Sequence, residues 1–152
     1  MPANLFDPDE LELPEDVQEA LDEICEQGNE AMDENDPEEA LAFFRQAVDI
    51  LPEPAEKWEA YSWLCAAQGD AQFGMQDFTG ALEQFREAYN LSDPDEVNPF
   101  VLLRLGQCFL RLGDEKNAAE YLLRAYMLEG EEIFEDDEDD FTFLKKAVPL
   151  DK

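Results

Sequence analysis

Residues 100–130 read "FVLLRLGQCFLRLGDEKNAAEYLLRAYMLEG", and this stretch decides the fold. Its second half carries Ala118, Leu122 and Ala125: a small residue, a large apolar one four later, and a small one three after that. Helical spacing puts all three on one face, with alanine where another helix must come close. Its first half carries Gly106, twelve residues ahead of Ala118. A glycine inside a helix costs about 1 kcal/mol against alanine. Its place in an apolar-periodic segment therefore points to a close helix crossing. Gly113 and Asp114, between the halves, supply a C-cap and then an N-cap.

The same arrangement occurs twice upstream. "FTGALEQFREAYNLSDP" (78–94) carries Ala81, Phe85 and Ala88, and "PEEALAFFRQAVDILP" (37–52) carries Ala40, Phe44 and Ala47. Gly69 and Gly28 again stand twelve residues ahead, inside "KWEAYSWLCAAQGDAQF" and "VQEALDEICEQGNEAM". Asp36 before Pro37, with Glu39 three later, is an N-cap and first-turn signal. The glycines are 41 and then 37 residues apart.

This pattern resembles the tetratricopeptide repeat family, whose signature is a bulky residue, Leu-Gly, an aromatic, then Ala, Phe, Ala and a closing Pro. The third repeat matches at Leu102, Leu105-Gly106, Phe109, Ala118, Leu122 and Ala125, with Gly130 at the closing position. The first matches at Gly28, Ala40, Phe44, Ala47 and Pro52, with Gln27 in place of leucine. The second matches at Gly69, Ala81, Phe85 and Ala88, with Pro94 one residue late. The resemblance covers residues 21 to 132. Against the family's period of about 34, the extra residues fall before the next first helix, around "PEPAEKWEAYS" and "SDPDEVNP". They are expected as helices longer by about a turn, with Pro52, Pro54, Pro94 and Pro99 marking breaks.

The carboxyl-terminal part continues the pattern. In "FTFLKKAVPLDK", Phe141, Leu144 and Val148 fall on one helical face, and Phe134 lies seven residues before Phe141. Asp137, Asp139 and Asp140 would begin this helix and Lys145-Lys146 would end it, matching the helix dipole. A solenoid needs such an element to cover its last apolar face. The expected fold is all-α: an α-solenoid of three tetratricopeptide-like helix-turn-helix repeats plus a C-terminal capping helix. An acidic extension occupies 1–14 and one domain occupies 15–147. Its helical pairs are expected near 15–51, 55–92 and 98–130, and its cap near 137–147.

The resemblance implies a concave face lined by the first helix of each pair. On it would lie Asp22, Cys25, Asn29, Met32 and Asp33; Trp63, Ala66, Asp70 and Phe73; and Phe100, Leu103, Gln107, Leu110 and Arg111. Taken singly, Trp63, Phe73 and Phe100 read equally well as core between repeats. As a set on one face they read as a binding floor. Trp58 reads as packing. Asp136, Asp137, Asp139 and Asp140, within "FEDDEDDF" (134–141), are expected as an outer acidic clamp. Some family members grip a terminal carboxylate with lysines, asparagines and an arginine. Only Asn29 and Arg104 fall at such positions here, while Cys25, Phe100 and Ala67 occupy the others, so this mode is not expected.

Composition narrows the function. The chain of 152 residues has 40 acids, 10 bases and no histidine, a formal charge of −30. Apolar residues make up 45%, enough for a real core. Sixteen acids and no base lie between Asp7 and Glu39, and nine of the twelve residues from Glu129 to Asp140 are acidic. No basic run is present to neutralise phosphates or to meet an anionic membrane, so neither nucleic acid nor membrane is expected as a partner. Without histidine, a glycine-rich phosphate loop, or a nucleophile beside a base, no enzyme, cofactor or small-molecule substrate is expected. "EDDEDD" lacks the central glycine of a calcium loop, and no metal site is expected. Cys25, Cys65 and Cys108, each in an apolar-periodic segment, read as reduced buried thiols. With no signal-peptide pattern at the start and no membrane-length apolar run, a cytoplasmic location is expected.

These readings converge on a non-catalytic module that binds a basic protein under electrostatic steering. Small acidic stand-alone repeat proteins of this kind resemble bacterial immunity proteins that block secreted toxins, often nucleases. The alternatives are a secretion-system chaperone holding a translocator or effector segment, and a generic assembly adaptor.

Overall fold

A computed structural model of the chain describes residues 12–150. Most of the acidic extension expected over 1–14 thus lies outside the described residues. Among the described residues seven α-helices follow one another: α1 (Glu15–Asp33), α2 (Pro37–Ile50), α3 (Glu59–Gly74), α4 (Phe78–Leu91), α5 (Pro99–Arg111), α6 (Glu115–Glu129) and α7 (Glu138–Ala147). They form an all-α solenoid of three helix-turn-helix repeats closed by a capping helix, with no strand among the described residues. None of the described helices is long and apolar enough to cross a membrane.

One turn joins the helices of every pair. A left-handed residue (Asn35, Gln76 or Gly113) is followed by an aspartate whose backbone N–H donates back to Ala31, Gln72 or Phe109 at 2.8, 2.8 and 2.9 Å. That aspartate then caps the second helix. Asp36 accepts from Glu39 N at 3.2 Å, Asp77 from Gly80 N at 3.0 Å, and Asp114 from Asn117 N at 3.2 Å. Asparagine and glycine suit the left-handed position; Gln76 holds it without that preference.

The glycines sit where the paired helices cross. A Cβ on Gly28 would lie 2.5 Å from Phe44, one on Gly69 2.8 Å from Phe85, and one on Gly106 2.6 Å from Leu122. Phe44, Phe85 and Leu122 are buried against those bare backbones, flanked by Ala40 and Ala47, Ala81 and Ala88, and Ala118 and Ala125.

The extra residues between repeats do not lengthen the helices. α2 and α4 both stop at 14 residues. The surplus forms loops with short 3-10 turns at Ala55–Lys57 and Pro94–Glu96. Pro52, Pro54 and Pro94 cannot donate to a helical ladder, and each disfavours helix in the residue before it. Pro99 opens α5 instead, behind Asn98, whose side chain accepts from Phe100 N at 2.8 Å. Trp58 is buried in the first of these loops, and its indole N–H donates to Pro52 O at 2.6 Å.

At the carboxyl end, a 3-10 turn over Glu131–Phe134 leads into α7. Phe134 stacks on Phe141 with ring centroids 4.9 Å apart, and Tyr126 also stacks on Phe141 at 5.9 Å. Ile133, Phe134 and Leu144 join Leu102, Leu103, Leu122 and Ala125 in one buried cluster, so the cap covers the last repeat. Val148 lies just past the helix end in extended backbone and still packs on this cluster.

Candidate functional site

The inner surface of the solenoid encloses a groove of about 720 Å³. α1 contributes Asn29, Met32 and Asp33; α3 contributes Trp63, Ala66, Ala67 and Asp70; α5 contributes Phe100, Val101, Leu103 and Arg104. The fourth wall is the acidic segment before α7, with Glu132, Ile133, Glu135, Asp136 and Asp137. Trp63 is 49% exposed and Phe100 59% exposed. Two aromatic side chains therefore stand open on the floor, and burying either against a partner releases substantial apolar surface from water.

Of the residues singled out from the sequence, Asn29, Asp33, Trp63, Asp70, Phe100, Asp136 and Asp137 come together in this groove. Asp22 does not. It lies with Cys25 and Trp63 in a neighbouring depression between α1 and α3, where Gln18 Nε2 donates to it at 2.8 Å. Phe73 is half-buried, set edge-on to Phe78 at 5.1 Å, with the Arg104 guanidinium 4.5 Å over its face. It is packing rather than floor, as Trp58 is. Asp139 is exposed in the first turn of α7 and lines a second, acidic depression with Arg111 rather than the groove.

Gln107 and Asp140 have a different role from the one expected. Gln107 is 0% exposed and Asp140 is 3% exposed. Gln107 Nε2 donates to Asp140 Oδ2 at 2.9 Å, and Arg111 donates to both Asp140 oxygens at 2.9 and 3.4 Å. Arg104 Nη1 donates to Gln107 Oε1 at 2.9 Å, and Arg104 Nε donates to Asp70 Oδ1 at 2.9 Å. A continuous polar chain, Asp70–Arg104–Gln107–Asp140–Arg111, thus ties α3 to α5 and α5 to α7. Asp140 and Arg111 satisfy one another instead of facing a partner, because a buried charge is tolerated only when paired and hydrogen-bonded.

The same logic sets the local titration. Burial raises the Asp70 carboxyl above its ordinary value, and the charge and hydrogen bond of Arg104 oppose that rise. Burial pushes Cys65 up to about 11 and Cys108 up to about 12. Both therefore remain protonated thiols at neutral pH. Among the described residues, no cluster of three or more Cys, Asp or Glu side chains is arranged to hold a metal ion.

Sequence reasoning missed the contribution of Glu132 and Glu135 to the wall and the commitment of Arg104 to Asp70. The acid block was visible, but its fold back over α5 depends on the burial of Phe134. Asp70 and Arg104 are 34 residues apart, and only the stacking of α3 on α5 brings them together.

Two family models match the chain, both described as tetratricopeptide repeat, one over residues 24–54 and the other over 66–137. No curated protein matches it in sequence. Among solved structures, it is similar to the N-terminal domain of stress-induced protein-1 (STI-1) from C. elegans. That match has a TM-score of 0.62 and 15% identity, over 86% of this chain and 95% of that one. It is also similar to the TPR2AB domain of yeast Sti1 in complex with pHSP90. There the TM-score is 0.64 and the identity 16%, over 86% of this chain and 49% of that one. At such identities the likeness is one of fold, and it agrees with the repeated turn, the glycine crossings and the family matches, which together span more than half of the sequence: the chain is a tetratricopeptide repeat protein.

Proposed function

We propose that the 15–147 domain is a non-catalytic protein-binding module whose concave groove takes a basic partner. The observation that carries this reading is the composition of the groove. Two exposed aromatics, Trp63 and Phe100, are ringed by Asp33, Glu132, Glu135, Asp136 and Asp137. Among the described residues Arg104 is the one base of the lining, and it is already held by Asp70. Such a surface favours a segment that presents a bulky apolar side chain next to lysine or arginine.

Within that class we favour an immunity-type inhibitor that covers the basic active-site surface of a toxin such as a nuclease. The formal charge of −30 supports it, since such a charge accelerates encounter with a cationic partner. A second reading, a chaperone for a secreted translocator or effector segment, is supported by the exposure of Trp63 and Phe100. Capture of an acidic carboxyl-terminal tail has no support. Cys25, Ala67 and Phe100 stand where gripping members of the family carry lysine or asparagine, and the surrounding carboxylates would repel a tail. The three free thiols suit the reducing cytoplasm in which we place the protein.

Titration calorimetry against the co-purified partner at low and high salt separates the two readings. Masking of a basic surface predicts affinity that falls steeply with salt, because exposed charges are screened over about 10 Å at 0.1 M. Affinity that is flat with salt but lost in Trp63→Ala supports the chaperone. If Trp63→Ala and Phe100→Ala both bind like the parent, the groove is not the binding surface.

A further inference from the structure

α5 carries two guanidinium groups, Arg104 on the groove lining and Arg111 outside it beside the acidic segment, and each is held by a carboxylate of this chain. Arg104 gives Nε to Asp70 Oδ1 at 2.9 Å and Nη1 to Gln107 Oε1 at 2.9 Å, while its face lies 4.5 Å over the Phe73 ring. Arg111 is held by both oxygens of Asp140. Gln107, fully buried between them, accepts from Arg104 and donates to Asp140, so its amide orientation follows from the network. Each base is therefore masked by a carboxylate from another helix, Asp70 from α3 and Asp140 from α7. The other acids of the lining, Asp33, Glu132, Glu135, Asp136 and Asp137, form no ion pair among the described residues.

We infer that Asp70 is the specificity-determining residue of the groove: by pairing Arg104 it neutralises the only cation that the described residues place in the lining, so that the surface admits lysine- or arginine-bearing segments and rejects acidic ones. This rests on the groove being the binding surface. Asp70 is suited to the task because the pair is neither deep nor on open surface. The side chains of Arg104 and Asp70 are 33% and 45% exposed, so the guanidinium reaches the groove as soon as its partner carboxylate is lost. Asp140 cannot serve in the same way. It is almost completely buried and holds the cap, so its loss changes the fold before it changes the charge of the groove.

The test uses two dye-labelled peptides of equal length, each with one Trp and one Phe. One carries several lysines and the other several glutamates. Anisotropy titrations at low salt compare the full chain with Asp70→Asn, with folding checked by thermal melts. The parent should prefer the lysine peptide. Asp70→Asn should shift the lysine-to-glutamate preference by about tenfold, as expected when one exposed charge pair is undone and both peptides respond. The double variant Asp70→Asn/Arg104→Gln should lose the gain for glutamate. A purely structural role would weaken both peptides alike and leave the ratio unchanged, which overturns the inference while the groove reading stands. A parent with no preference for lysine overturns the groove reading itself. Should Asp70→Asn fail to fold, Arg104→Gln alone decides. It uncovers Asp70 and should tighten the lysine peptide a few-fold, and unchanged affinity refutes the assignment.

Discussion

The two ends of the solenoid are built from similar helices and treat their acids in opposite ways. α1 buries Leu21, Ile24, Gly28 and Ala31 and leaves Asp22 and Asp33 in solvent. α5 buries Val101, Leu102 and Leu103 and then an unbroken run from Leu105 to Phe109, because α4, α6 and the capping segment enclose it. An aspartate at the carboxyl end, Asp140, is drawn into that enclosure and paired, while those of α1 keep their hydration. Charge is thus nearly neutral for the fold at one end and structural at the other. This contrast explains how a chain with four acids for every base can pack at all. Among the described residues most carboxylates stay in water, and the one that is almost fully buried, Asp140, has a guanidinium and an amide waiting for it.

The difference between the ends can be tested, beginning with its largest consequence. Phe134→Ala empties the pocket under the cap and should lower stability by about 3–5 kcal/mol, the usual range for a buried aromatic. Urea denaturation measures it, and a change under 1 kcal/mol would mean that the cap is dispensable. Asp140→Ala leaves Gln107 and Arg111 without their partner. The expected loss is about 2–4 kcal/mol, toward the lower end for a broken buried pair because Arg111 still reaches water. Asp33→Ala at the amino end should stay within about 0.5 kcal/mol. Equal losses in these two variants would erase the contrast.

Gly28→Ala probes the amino end by packing instead of charge. Its Cβ would fall 2.5 Å from Phe44, and the crossing should loosen by about 1–3 kcal/mol. Circular dichroism melts should show a lowered Tm with helix content unchanged.

Alkaline titration compares the ends through their thiols. Cys108, held near 12 by burial, keeps its proton when the unfolded thiol, near 9, has lost its own. Stability is therefore full below pH 9 and falls toward pH 12, with a slope of about 1.4 kcal/mol per pH unit for one such group. Melts under reducing conditions should show this slope and should show it reduced in Cys108→Ala. Cys25→Ala, at the half-buried amino-end thiol, should change it less. Asp36→Ala, which removes the N-cap of α2, should cost about 1 kcal/mol.

The architecture was legible because it repeats. Glycine and alanine at fixed intervals state where backbones approach, and three copies in register leave little freedom. The cap was legible from Phe134, Phe141 and Leu144. The proline-marked linkers were misread as longer helices, because a period longer than the family's does not reveal which part of the repeat has grown. Half of the groove was legible as a list of positions. Its use was not: Gln107 and Asp140 looked like neighbours of a partner and are partners of each other.

By itself, then, the sequence determined the local and periodic features: helix pairs, their caps, the crossing points, the apolar stripe of α7 and the overwhelming negative charge. These depend on residues a few positions apart, where spacing translates directly into geometry. Only the tertiary structure decided which acids remain in water and which are committed. That choice turns on pairs such as Asp70–Arg104 and Gln107–Asp140, 34 and 33 residues apart, whose meeting is set by how the helices stack. A carboxylate is the same residue in either setting, and what distinguishes the two is the cost of desolvating it, which is felt only once its neighbours are in place.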